Sequence, residues 1–185
     1  MKHARLTHVS VDDYLALEQG SDTKHEYVAG QMFAMVGVRD AHNQVAGNVY
    51  LHARSKLRGG PCRVYIADMK VRVEAADAFY YPDVFVTCDS RDTEPYYKRY
   101  PVLVLEVLSP TTESVDRREK LHNYRMLETL QEYVLVSLDE RRVEIYRRGL
   151  TGEWTVDTLA PGDPIDLRSI DLTLSFNDVY EDTEI

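Results

Sequence analysis

Residues 80–86 read YYPDVFV and residues 102–110 read VLVLEVLSP. Both runs consist mostly of aromatic, β-branched and leucine residues, the composition of strands covered on both faces. Each also contains one acid, Asp83 in the first and Glu106 in the second. An uncompensated carboxylate in such surroundings costs several kcal/mol. Either each acid has a basic partner or the two together hold a cation, and composition leaves both readings open. The preceding run, RVYIADMKVRV, alternates from Ala67 onward: Met69, Val71 and Val73 face one way, Asp68, Lys70 and Arg72 the other. If the three runs form a meander, Asp83 and Glu106 lie on neighbouring strands. Two converging carboxylates are what a hard divalent cation takes, with water and a substrate phosphate completing its shell.

Outward from this centre the pattern predicts a mixed sheet with helices packed on it. The sheet strands are expected near Val64 to Val73, Tyr80 to Val86, Leu103 to Leu108 and Tyr133 to Leu138. Upstream, VSVDDYLALEQG reads as a first helix capped by Ser10 and stopped at Gly20, and HEYVAGQMFAMV as a hairpin turning at Ala29-Gly30. Asp40 is a fitting cap for a helix from Ala41 to Leu57, with His42, Val45, Ala46, Val49, Ala53 and Leu57 along one side. The polar stretch CDSRDTEPYYKRYP reads as a surface loop. SPTTESVDRREKLHNYRMLETLQ predicts a helix over Val115 to Leu130, leading into EYVLVSL, a strand parallel to the Glu106 strand through a right-handed crossover. RVEIYRR then makes a hairpin, and WTVDTL and IDLTL read as edge strands.

At 185 residues, with 44% hydrophobic and 29% charged residues, the chain has the size and composition of one soluble domain. The N-terminal residues lack an apolar segment of the kind that targets secretion, and no run is long enough to span a bilayer, so a cytoplasmic location and no membrane partner are expected. Cys62 and Cys88 form no metal-binding pattern and read as reduced structural thiols. The net charge of -9 excludes a protein that coats nucleic acid by bulk electrostatics. Basic residues still gather in RSKLR, YYKRY and DRREK and at Arg141 and Arg142, so a local basic face stays open.

In combination, YYPDVFV and VLVLEVLSPTTESVDRREKLHNYRMLETLQEYVLV resemble the Uma-type endonuclease family, a branch of the PD-(D/E)XK nuclease superfamily. HEYVAGQMFAM resembles that family's acidic hairpin, and AHNQVAGNVYLHARSKL its histidine-bearing helix. The resemblance spans about Val11 to Tyr180. It implies a restriction-endonuclease-like α+β fold, with a mixed sheet core flanked by helices and preceded by an N-terminal helix and hairpin. It also implies DNA as substrate, Mg²⁺ or Mn²⁺ as cofactor, and Asp83 and Glu106 as metal ligands and catalytic residues. The superfamily's lysine is missing from its usual place, where this chain has Glu106-Val107-Leu108. Lys120 matches the lysine that Uma-type proteins carry on the following helix, and is the candidate third catalytic residue. Its alternative is an ion pair with Asp116 one turn earlier, and Lys70 is its rival.

Supporting candidates are Glu26, as a third acid or an exposed hairpin carboxylate, His42, as a site residue or a core histidine, and Asp68, which shares a face with Lys70. Tyr80, Tyr81, Tyr96, Tyr97 and Tyr100 either stack on bases or pack the core. Three functions follow: a metal-dependent endonuclease, a nuclease-derived fold kept as a binding module without catalysis, and a metal hydrolase of small phosphoesters. For a duplex cut on both strands, a two-fold homodimer is expected.

Overall fold

The computed structural model describes residues 8–185. Ser10 caps α1 (Val11–Gly20), accepting from the Asp13 amide. The strands β1 (His25–Val28) and β2 (Gln31–Ala34) form the expected hairpin, and its turn residues Ala29 and Gly30 have φ of 47° and 85°. This left-handed pair matches the twist of a two-residue hairpin. Next comes α2 (Asp40–Lys56), in which Asp40 is the first helical residue; Arg39 occupies the cap position without a side-chain hydrogen bond, so the expected Asp40 cap is not formed.

The chain continues through β3 (Arg63–Ile66), β4 (Lys70–Val73), β5 (Ala78–Tyr80), β6 (Val84–Thr87), β7 (Tyr97–Lys98) and β8 (Pro101–Val107). A helical run, α3, is made of Glu113–Val115, a π-wound turn Asp116–Lys120 and Leu121–Tyr124. Then follow β9 (Glu132–Val136), β10 (Val143–Arg148), β11 (Trp154–Leu159), β12 (Ile165–Leu167), β13 (Leu172–Leu174) and α4 (Phe176–Val179).

The runs expected as single strands at Val64 to Val73 and Tyr80 to Val86 are each broken in two, and the reason is one residue of excess. Pairing of β3 with β6 ends at Ile66↔Val84, and pairing of β4 with β5 resumes at Val71↔Tyr80. Residues 67–70 therefore oppose residues 81–83. The excess is absorbed by Ala67, at φ 54°, whose amide donates to the Asp83 carbonyl at 3.0 Å. Such a bulge bends and twists a hairpin, and here the bend sends its two halves into different sheets. One sheet has the order β2-β1-β5-β4-β7, the other β11-β10-β9-β8-β6-β3. The expected single central sheet is thus two sheets hinged at a crease, and Asp83 sits in it.

In the larger sheet β6 pairs antiparallel with β8 and β8 parallel with β9, as the apolar runs imply. Alternation along β8 sends Leu103, Leu105 and Val107 to a core with α2, β12, β13 and α4, and Val104 and Leu108 to a second core with Tyr124, Leu127 and Leu130. A third cluster of Tyr14, Tyr27 and Phe79 seats α1 on the smaller sheet. The α3 helix ends at Tyr124 rather than Leu130. Leu127 and Leu130 reach the core from turns, which reproduces a helical spacing without a helix. The loop after Cys88 contributes the short β7, parallel to β4, and the predicted edge strand IDLTL supplies β13, which pairs with β12 in a separate hairpin instead of joining a larger sheet.

The expectation of reduced thiols is overturned: Cys62 and Cys88 form a disulfide. They occupy the next paired position after Arg63↔Thr87, so the register brings them face to face. The bridge closes a loop with a sequence separation of 26 residues. Its reduction is expected to lower the free energy of unfolding by about 3 kcal/mol through loop-closure entropy. Urea denaturation with and without dithiothreitol, with alkylation to count free thiols, measures this. Unchanged stability after full reduction would show that the bridge restrains little.

Candidate active site

Because Val84 pairs with Leu105, Asp83 and Glu106 are the next opposed pair in the β6–β8 register. The Val107 amide donates to Asp83 Oδ2 at 2.7 Å, and the Asp83 amide donates to Glu106 Oε2 at 3.3 Å. The crease frees the Asp83 backbone from its own strand, so its carboxylate folds back onto β8.

Glu106 points to the face covered by α3 and is 3% exposed. Its Oε1 lies 3.3 Å from Lys120 Nζ and accepts from the Tyr124 hydroxyl at 3.3 Å. Lys120 is buried as well, and it is shared: Glu26 Oε1 on β1 is 2.9 Å from Nζ and Asp116 Oδ1 is 3.2 Å away. The π-wound turn places Asp116 and Lys120 together against the sheets, a distortion often found at functional sites. Tyr80 supplies a ring 5.6 Å from Nζ, and its hydroxyl is held by the Asn123 amide at 2.6 Å. On the other side of the crease, His42 Nε2 of α2 lies 3.3 Å from Asp83 Oδ2.

Burial dominates the electrostatics. It raises the pKa of Asp83, against the lowering influence of His42, the Val107 amide and Lys120. It raises Glu106 further, opposed by Lys120 and reinforced by Asp116, Asp83 and Glu26. For Lys120, burial acts to lower the pKa, but Glu106, Glu26 and Asp116 outweigh it and hold the ammonium charged. One cation thus faces several acids, and burial favours the neutral form of Asp83 and Glu106, a preference that a divalent cation bound beside them would oppose.

Of the residues singled out in the sequence, Asp83, Glu106, Lys120, Glu26 and His42 come together. Asp68 and Lys70 do not join them. Asp68 pairs with Lys24 in an exposed contact, and Lys70 donates to the Tyr81 hydroxyl, which in turn donates to Glu18. Lys120 therefore has both of its expected lives, at the acids and against Asp116. Tyr80, Tyr81 and Tyr97 pack or hydrogen-bond within the protein and Tyr100 lies under Arg91, leaving only Tyr96 of the tyrosine group exposed. Asp116, Tyr124 and Asn123 complete the cluster and were not expected there. The four-residue spacing of Asp116 and Lys120 was the one sequence signal for any of them.

Asp83 also borders an open cleft of about 380 Å³ that includes His42, Asn43 and the segment Met35–Val38. Both contacts of the Asp83 carboxylate, with the Val107 amide and His42, are made by Oδ2, and no hydrogen bond among the described residues engages Oδ1. Among the described residues no three His, Cys, Asp or Glu side chains form a ready-made metal cage. The oxygen donors of Asp83 and Glu106 are of the hard type that Mg²⁺ takes in sites where one or two carboxylates are completed by water and phosphate oxygens.

The sequence pattern of the Uma2 family, described as "Putative restriction endonuclease", matches residues 11–177. The chain belongs to the Uma2 family. Two relatives come from Synechocystis sp. The uncharacterized protein slr1290 is 34% identical over 93% of this chain and 91% of its own length. The uncharacterized protein sll1609 is 26% identical over 80% and 85%. The crystal structure of "a putative nuclease belonging to DUF820" from Anabaena variabilis superposes with a TM-score of 0.77 at 20% identity, covering 93% of this chain and 97% of that one. At that identity the likeness speaks for the fold: the Uma2 chain has the nuclease-like α+β architecture. No helix among the described residues is long and apolar enough to cross a membrane.

Proposed function

We propose that this Uma2 protein is a metal-dependent endonuclease that hydrolyses DNA phosphodiester bonds at the crease between its sheets. The observation that carries this reading is the opposed pair Asp83 and Glu106, with Lys120 Nζ 3.3 Å from Glu106. Asp83 and Glu106 would hold Mg²⁺ or Mn²⁺, which when bound supplies Lewis-acid neutralisation of phosphate charge. Lys120 adds a fixed positive charge beside the carboxylates, suited to stabilising charge that develops on the phosphate. The Val107 amide and His42 hold Asp83 through Oδ2 and leave Oδ1 unengaged for a cation. Glu26 holds Lys120 from the smaller sheet and is a positioning residue.

A cut through both strands of a duplex needs two such sites, and for that reaction a two-fold homodimer is part of the proposal; its mass is read by sedimentation. The saturated ion pairs of Lys120 also suit the second reading, a nuclease fold kept as a binding module. Incubation with supercoiled, linear and single-stranded DNA in Mg²⁺ and in Mn²⁺, with a chelator control, separates the two. Chelator-sensitive nicking or degradation is expected; intact DNA under every condition overturns the catalytic reading.

A further inference from the structure

The segment between β2 and α2 leaves its apolar side chains in water. Met35, Val36 and Val38 are 36%, 73% and 55% exposed, and none belongs to the three cores. Contiguous exposed apolar side chains mark a contact surface, and these three line the cleft that Asp83 borders. The cleft lining also includes Asn43, whose amide offers both a donor and an acceptor, and Thr23. Its volume of about 380 Å³ falls in the range of small-ligand sites.

Resting on the nuclease reading, we infer that this cleft receives an unpaired nucleobase, so that the substrate is single-stranded or locally unpaired nucleic acid rather than an intact duplex. A phosphate brought to Asp83 has its nucleoside beside the same wall. In a duplex the apolar faces of the bases are covered by stacking, and only an unstacked base can lay its face on Met35, Val36 and Val38. Charge points the same way. Gripping a duplex from outside relies on neutralising its phosphates, and beside the acids Arg117, Lys120 and Arg142 are held by the protein's own carboxylates, with a net charge of -9 over the chain. Contact with a base face supplies affinity at the cleft that these paired cations do not.

The test measures binding in Ca²⁺, which takes the same hard oxygen ligands as Mg²⁺ and keeps a cation between Asp83 and the phosphate, with the DNA checked for intactness afterwards. Fluorescence anisotropy is recorded for a labelled single-stranded DNA, an RNA of the same sequence and the blunt DNA duplex, with the wild-type protein and with Met35→Ser/Val36→Ser/Val38→Ser. These positions are exposed and outside the cores, so folding is not at issue. A single strand should bind on the order of tenfold tighter than the duplex, and the triple variant should lose that preference. The DNA and RNA arms identify which strand the cleft prefers. Equal binding of strand and duplex, no binding of either, or an unaltered preference in the triple variant overturns the inference. A strand preference in a protein that cleaves nothing with Mg²⁺ or Mn²⁺ supports the cleft assignment while removing the nuclease reading.

Discussion

Asp83→Asn and Glu106→Gln are expected to lower metal-dependent DNA cleavage by about a thousandfold or more, while both proteins stay folded. Each substitution keeps the shape of the side chain and its ability to accept from the amides of residues 107 and 83. Each also removes a charge whose burial is costly, as the raised pKa of both acids attests. Stability should therefore change little, and lost activity would report lost chemistry rather than lost structure. Thermal denaturation supplies a second readout. Mn²⁺ at about a hundredfold over its Kd stabilises a protein by about 2.7 kcal/mol when it binds only the folded state. For a chain of this size that raises Tm by several degrees. Wild type should show the rise and the two carboxylate variants should not. Equal shifts in all three would return Asp83 and Glu106 to the status of buried structural acids.

Lys120→Met is expected to cost about 3–5 kcal/mol of folding stability as well as any cleavage. Methionine nearly fills the lysine's volume, so the loss is electrostatic. Lys120 is the cation nearest to Glu26, Glu106 and Asp116, and without it buried carboxylates face one another unpaired. The appropriate comparison is Lys56→Met, which breaks the exposed pair with Asp171 at 2.8 Å and should leave the urea midpoint almost unmoved, because water screens that pair. If Lys120→Met unfolds no more readily than Lys56→Met, the three acids do not need this cation and the cluster is not the fold's electrostatic centre.

The core of the site was legible because β6 and β8 are apolar on both faces, which makes an acid within them stand out and fixes them as neighbours. Their exact opposition depended on register, which periodicity supplies once the pairing is right. The crease was not legible. A left-handed turn is usually announced by glycine, and here Ala67 takes it, while Pro82 and Asp83 read as an interrupted strand instead of a boundary. The sequence pattern overstates the helix because Leu127 and Leu130 continue the spacing of Leu121 and Tyr124 from turns. The disulfide was missed for a related reason: its cysteines show no local spacing, and only the strand pairing makes them opposite. Asp116 was visible solely as a helical neighbour of Lys120, because the π-wound turn that directs both inward leaves no mark in composition.

The three acids around Lys120 belong to three separate pieces of the architecture: β1 in the smaller sheet, β8 in the larger one, and α3 itself. The ammonium is thus a clasp as well as a candidate reagent, since it ties one sheet to the other at the place where the hairpin bends. A chain of this fold that cut no DNA would still gain stability from it. Its presence in another Uma2 chain therefore vouches for the architecture and says nothing on its own about whether that chain cuts; Asp83, which touches β8 and α2 through Oδ2 alone and leaves Oδ1 unengaged among the described residues, is the more telling position.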